Sequence, residues 1–539
     1  MSRVGTFFRT VRYLRPAQLL GRARMLLPRP APDVRPAPLR REAAGGWVMP
    51  AARESSMPGA RTMRFLSVER TLDDGGWDNP AVPLLWRYNL HYFDDLNAQG
   101  AAQRAAWHHA LIDDWLSANP AGSGTAWAPY PTSLRIVNWI KWFQSLPDGG
   151  EIPGRWINSL ATQGRWLAGR LEWHLLGNHL FANAKALVHA GLFFEGDEAR
   201  RWLEKGLHIL EREIPEQILL DGGHFERSPM YHALAVEDML DLVNIVRRYP
   251  QALKEPARWS HLASAMLAWL FDMSHPDGTL ARFNDTAPGI APSTPELVRM
   301  AVELDVPVFR PGTGNRSVQL PQSGYARLGG NDAVLLADVA PIGPDYLPGH
   351  AHADTLSYEL SAAGRQLVVN RGTSEYGTGA RRQLERSTSA HSTVEVHGQN
   401  SSEVWAGFRV GRRARAFDVQ WSPTTLEGSH DGYRFLPGRP IHHRRWQINA
   451  RSLLVEDRLS PSTDAVSRHH LAPGLTLHPQ TPSAWLVMDG PDIVARADIL
   501  VGSARAEPWQ HAEGFGRLAA AETLVITLQE GQAALRWHW

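Results

Sequence analysis

Between about residues 100 and 275, apolar side chains recur at the three- and four-residue spacing of helices. The segments AAWHHALIDDWLSANP, TSLRIVNWIKWFQSLPDGG, INSLATQGRWLAGRLEWHL, HLFANAKALVHAGLFFEG, ARRWLEKGLHILEREI, YHALAVEDMLDLVNIVRRYP and HLASAMLAWLFDMSHPDG follow one another with short connections. The first is closed by Asn119-Pro120; the second opens at a Thr132-Ser133 cap and stops at Pro-Asp-Gly-Gly, residues 147–150. Successive helical hairpins of this kind stack into a solenoid or close into a toroid, and periodicity does not choose between them. Over 306–324 (VPVFRPGTGNRSVQLPQSG) the helical period dies in Pro, Gly, Ser and Asn. Beyond it come short β-rich runs, among them DAVLLADVA, TLSYELSAAGRQLVVN, RARAFDVQW, HHRRWQI, RSLLVEDRL and AALRWHW, separated by turn residues. These predict an antiparallel sandwich. The chain reads as an N-terminal extension with short helices (1–80), an all-α domain (81–310) and an all-β domain (325–539).

Composition narrows the function. At 539 residues the chain exceeds what one core supports, so two or more domains are expected. Lys+Arg at 56 against Asp+Glu at 55 leaves no global field to recruit nucleic acid or membrane, so an anionic substrate must be met locally. The absence of cysteine excludes disulfides, thiolate metal ligands and a Cys nucleophile. No apolar run is long enough to span a bilayer. The first 30 residues spread arginines among their apolar positions, unlike the uninterrupted core of a secretory signal, so a cytoplasmic protein is expected.

Three stretches depart from propensity. WHLLGNHLFANAK sets Gly177, Asn178 and His179 in a helical pattern, where glycine costs about 1 kcal/mol against alanine; a break between Leu176 and Leu180 is expected. In LLDGGHFERSPMYHALAVED, Asp221-Gly222-Gly223 is a turn and Ser228-Pro229 starts a helix. Tyr231 then lies in its first turn, where a phenol can project into a cleft. In GHAHADTLSYEL, His350 and His352 leave the same side of the chain if it is extended. With Asn370 and His391 on later strands, they suit Zn²⁺ or Mn²⁺ in a thiolate-free site, or hydrogen-bonded sheet histidines.

Together WHLLGNHLFANAKAL, GGHFERSPMYH, GHAHADTLSYEL, NRGTSEY and RSTSAHSTVEVHG resemble, in order, the heparinase II/III family of polysaccharide lyases. Upstream, RYNLHYFDDL and WAPYPTSLRIVNW are similar to the form of the family found in bacterial polysaccharide gene clusters. The resemblance runs from about residue 80 to 410. It implies an (α/α) toroid followed by a layered antiparallel β-sandwich, with the active site in the cleft between them. It implies β-elimination on a uronate-containing polymer such as heparan, chondroitin, hyaluronan or alginate. Asn178 would hydrogen-bond the carboxylate, Tyr231 would serve as acid, and His179 or His350 would accept the C5 proton. His352, Asn370 and His391 correspond to metal ligands, with Asn370 standing where an aspartate is common. Beside the motifs, His91, Tyr92, Trp127, Arg135, Glu226, Arg227 and Arg386 are candidates for gripping an acidic chain. Alternatives are a uronyl C5-epimerase of the same fold, a non-catalytic carbohydrate-binding protein, and a metal-dependent hydrolase using Asp354 or Glu375.

Overall fold

A computed structural model of the chain describes residues 3–27, 30–146, 151–256, 258–309, 316–330 and 332–539. The predicted stop at 147–150 lies outside these residues. The helical half is built from Leu84–Leu90, Ala105–Ala118, Pro129–Gln144, Gly154–Ala168, Gly177–Phe193, Asp197–Gln217, Pro229–Arg248, Arg258–Asp272 and Thr294–Glu303. The second long helix begins at Pro129 and not at the Thr-Ser pair, because proline at the first position suits a helix start. Helices 129–144, 177–193 and 229–248 are buried on nearly all sides, while 154–168 and 197–217 bury one apolar stripe. Inner and outer helices approach closely: a Cβ on Gly206 would lie 2.8 Å from the Ala184 carbonyl oxygen.

The helices form a toroid, and a stretch with little regular structure spans its ends. Arg299 on the last helix donates to the Met49 and Pro50 carbonyls, and Glu296 accepts the Ala52 N–H. A few residues on, Asp95 accepts the Ser56 N–H, and the Gln99 N–H reaches the Arg53 carbonyl. Residues 49–57 therefore tie the last helix to the segment 95–99 that follows the first. Beneath them Arg53, Lys141 and Lys185 pair with Glu237, Asp238 and Asp241, a buried network that fixes the inner helices against one another.

The second half is layered antiparallel sheet. Strands Val318–Leu320, Tyr325–Gly330, Ala333–Asp338, Tyr358–Ala362 and Arg365–Val368 form a five-stranded meander in sequence order. Strand 333–338 is buried on both faces: Ala333, Leu335 and Ala337 enter the sandwich core, while Val334 and Leu336 pack with Trp269, Met273 and Phe283 of the helical half. Trp446, Leu453 and Trp537 of an eight-stranded sheet and Leu524 and Ile526 of a four-stranded sheet complete that core. The longest strand, Ser503–Gly514, is an edge of the four-stranded sheet, where Pro508 costs little pairing.

Candidate active site between the two halves

The first turns of three inner helices meet the sandwich. Leu176 takes φ +64° and Gly177 φ +54°, so the chain turns sharply before helix 177–193. Fifteen of that helix's 17 residues are buried; Asn178 and His179 are the two that are not. Ser228 caps helix 229–248 through a 3.2 Å bond from the Tyr231 N–H, placing Tyr231 in its first turn. Tyr130 lies second in helix 129–144, its ring 4.4 Å from that of His179. Unpaired N–H groups and helix dipoles make such termini favourable places for an anion.

From the other half His350 lies against Tyr231, with ring centroids 3.7 Å apart and an interplanar angle of 26°. His350 and His352 sit in a loop and not on a strand, so the expected shared face does not arise. One buried carboxylate holds both: Asp285 accepts from His350 Nδ1 at 3.0 Å and from His352 Nε2 at 2.8 Å. Arg382 grips the same carboxylate with two nitrogens, and Thr373 adds a third kind of donor. Burial opposes the charge on Asp285, but Arg382 and the two histidines outweigh it and hold its pKa well below the usual range. His350 thus keeps Nδ1 as donor and presents Nε2 to the cleft, 3.6 Å from Glu226.

The other groups are tuned by similar balances. Burial lowers the His179 pKa, yet Glu172, whose carboxylate accepts from His179 Nδ1 at 3.2 Å, outweighs it and leaves the net shift upward. Burial holds Tyr231 well above the ordinary phenol value, reinforced by Tyr376, whose hydroxyl is 3.1 Å from its own. Burial also raises Glu226, against the pull of His350, His179 and the Asn178 N–H. The wall accordingly carries a phenol held protonated (Tyr231), a carboxyl whose pKa burial raises (Glu226) and a histidine made more basic by a carboxylate.

Among the candidate gripping residues, Glu226 borders this site and Tyr92 packs edge-on against Tyr130 at 5.9 Å. The rest lie elsewhere. Arg135 is fully buried, donating to Gln163, the His91 carbonyl and Thr132. His91 accepts from Trp115 and stacks on Trp77, and burial lowers its pKa to about 3. Trp127 donates to the Asn119 carbonyl. Arg227 donates to the Ser323 carbonyl, and Arg386 binds the carbonyls of Ala351 and Gly407. Their polar atoms are engaged by neighbouring backbone and side chains, so these residues shape the walls. Asp285, Arg382, Tyr376, Glu172 and Tyr130 were not singled out from the sequence, although Tyr376 lies inside NRGTSEY and Tyr130 inside WAPYPTSLRIVNW.

The residues proposed as metal ligands form a buried layer behind His350. His352 Nδ1 is 3.1 Å from His391 Nε2, and His391 Nδ1 donates to the Ser387 carbonyl. Two facing imidazole nitrogens suit zinc or manganese. The side-chain oxygen of Asn370, however, already accepts the Ser392 N–H at 3.1 Å. Among the described residues no group of three or more His, Asp or Glu is arranged to hold a metal ion. The set does not amount to the site that the resemblance implies, and no step below runs through a metal.

Two family models match in succession: Heparinase II/III N-terminus over residues 96–303 and Heparinase II/III-like, C-terminal over 312–538. Heparin-sulfate lyase of Bacteroides stercoris is 26% identical over 316 residues, 54% of this chain and 46% of that protein. The chain thus spans about half the length of that relative. FtsZ-localized protein C of Caulobacter vibrioides is 27% identical over 492 residues, 84% of this chain and 80% of that protein. In fold, the chain is similar to the heparinase III BT4657 gene product, with a TM-score of 0.63 at 18% identity (86% and 80% of the two chains). It is similar also to heparan sulfate lyase HepC of Pedobacter heparinus, with a TM-score of 0.61 at 20% identity (89% and 81%). With an α toroid, a β-sandwich and both models matched in order, this chain belongs to the heparinase II/III family.

Proposed function

We propose that the protein is a polysaccharide lyase that cleaves uronate-containing chains by β-elimination. The observation that carries this reading is the meeting of Asn178, His179 and Tyr231, all from helix first turns, with His350 across one cleft. In such a polymer the C5 hydrogen is α to a carboxylate, and C4 carries the glycosidic oxygen. The base takes the C5 proton, the C–H electrons form the C4=C5 bond, and the C4–O bond breaks toward the leaving oxygen. The side-chain amide of Asn178, at the positive end of its helix, would stabilise charge developing on the carboxylate. His179, made more basic by Glu172, is the candidate base. Tyr231, protonated at neutral pH, is the candidate acid for the leaving oxygen. His350 would fix the Tyr231 ring by stacking and offers a second base on the opposite side.

The test is ultraviolet absorbance during incubation with heparan, chondroitin, hyaluronan and alginate, with Tyr231→Phe as control. A rise on one polymer, lost in the variant, supports the reading and names the substrate. No rise on any polymer, with solvent deuterium entering C5, would replace it by epimerisation. A second reading is favoured by the relative matched over 84% of this chain, FtsZ-localized protein C: a protein that localises with FtsZ. Co-pelleting with FtsZ polymers would test it.

A further inference from the structure

Helices Arg3–Val11 and Pro16–Met25 are mounted with their polar sides inward. On the first, Thr6 and Arg9 donate to Glu403 at 2.6–2.8 Å, and Thr10 accepts from Trp405 Nε1 at 2.9 Å. The opposite stripe, Val4, Phe7 and Phe8, is left in water, Phe8 at 64% exposure. On the second, Gln18 is buried and donates to the Tyr346 carbonyl. Gly21 lies so near His174 that a Cβ would come within 2.6 Å of its backbone nitrogen. Leu19, Leu20 and Met25 face outward, followed by Leu26 and Leu27 at 88% and 65% exposure. Surface helices of globular proteins turn their apolar face to the core. These two do the reverse, and an exposed apolar surface of this kind marks an interaction site.

Charge decides what covers it. Residues 3–27 contain Arg3, Arg9, Arg12, Arg15, Arg22 and Arg24 and no acid; the first is Asp33. Arg9 and Arg15 pair with Glu403 and Glu216, whereas Arg12, Arg22 and Arg24 are exposed alongside the apolar side chains. The near-zero net charge of the whole chain conceals this local excess. Apolar side chains flanked by arginines match a bilayer with anionic headgroups, which takes the former into its acyl boundary and the latter at its phosphates. We infer that these two helices dock the protein on an anionic membrane surface.

The placement relates docking to the cleft. Glu403 and Trp405 precede Phe408, whose ring is 6.0 Å from that of His350. His174, under Gly21, lies two residues from Glu172, the partner of His179. The helices therefore straddle both halves beside the cleft, which would meet carbohydrate held at the membrane. That last step rests on the lyase reading; docking itself does not.

Sedimentation of the full chain with vesicles tests the inference. Vesicles of phosphatidylcholine containing about one-third phosphatidylglycerol should carry the protein down at low salt, pure phosphatidylcholine vesicles far less, and high salt should release it. Phe7→Ser/Phe8→Ser/Leu19→Ser/Leu20→Ser should weaken binding about tenfold or more. Arg22→Glu/Arg24→Glu should weaken it about fivefold or more for each position. All six positions face outward, so thermal melting and any activity on a soluble polymer should be unchanged. The inference is overturned if the native chain stays in the supernatant with anionic vesicles, or if the apolar variant binds as tightly as the native chain. It is also overturned if the native chain is a dimer without vesicles and that variant a monomer, which would make the face an interface between copies. Because sedimentation reads no cleavage, a silent lyase assay leaves this result standing.

Discussion

The two walls of the cleft are built on opposite plans. On the toroid side, Tyr130, Asn178, His179 and Tyr231 each occupy one of the first three positions of a helix. None is fully buried. On the sandwich side Arg382, His352 and His391 are fully enclosed and gather, His391 through His352, on Asp285, which reaches them from the loop after helix 258–272; His350 and Tyr376 alone of this group are partly exposed. A helix start leaves backbone N–H groups unpaired and so favours a substrate carboxylate. A saturated buried network is rigid and costly to disturb, which suits it to holding one imidazole in place. Under the proposed lyase mechanism, charge stabilisation and the first proton transfers fall on the toroid wall, and the sandwich wall mainly orients His350.

The contrast can be broken or sharpened by substitution. Tyr231→Phe should lower kcat by about 10²–10⁴ with KM little changed; a loss confined to KM would make the phenol a binding group. Asp285→Asn leaves Arg382 buried without its counter-charge and should cost about 3–5 kcal/mol of stability by urea unfolding. A stable but inactive variant would instead move chemistry to the sandwich wall. Asn178→Ala should lower kcat about 10²–10³; an unchanged kcat would remove the amide from the transition state. Glu172→Gln tests the balance at His179. As a base, His179 must be unprotonated, so activity falls as pH drops through its pKa, which Glu172 raises above the ordinary value. Removing that carboxylate should move the acidic limb of kcat/KM to lower pH, whereas an unmoved limb would assign it to another group. The smallest effect on catalysis belongs to Arg135→Met. It should leave KM unchanged while stability falls by about 1–3 kcal/mol, because Gln163 and the His91 carbonyl lose a buried donor. A raised KM would return Arg135 to the substrate.

Much of the toroid wall was legible in the sequence because its cues are local. Glycine within a helical pattern marked the break before Asn178, and Ser-Pro marked the start of the helix bearing Tyr231. The sandwich wall was less legible. Asp285 sits in the unremarkable loop RFNDTAPG, and its role comes from His350, His352 and Arg382, which lie 65 to 97 residues away in sequence. His350 and His352 read as strand residues, but Asp285 and Arg386 hold their segment as a loop through side-chain contacts that no periodicity encodes. Arginines beside motifs suggested polymer binding; Arg135 and Arg386 are instead buried against carbonyls, a distinction only packing makes. Strand 503–514 (SARAEPWQHAEG) lacks the β-branched residues of a strong strand signal and is held by its pairing to 517–527.

The most direct measurement is mass spectrometry of fragments formed from a uronate polymer in water enriched in heavy oxygen. The account predicts fragments with an unsaturated uronate at the new non-reducing end and no solvent oxygen at the cleaved bond. Saturated fragments carrying one solvent oxygen would mean hydrolysis and would contradict it.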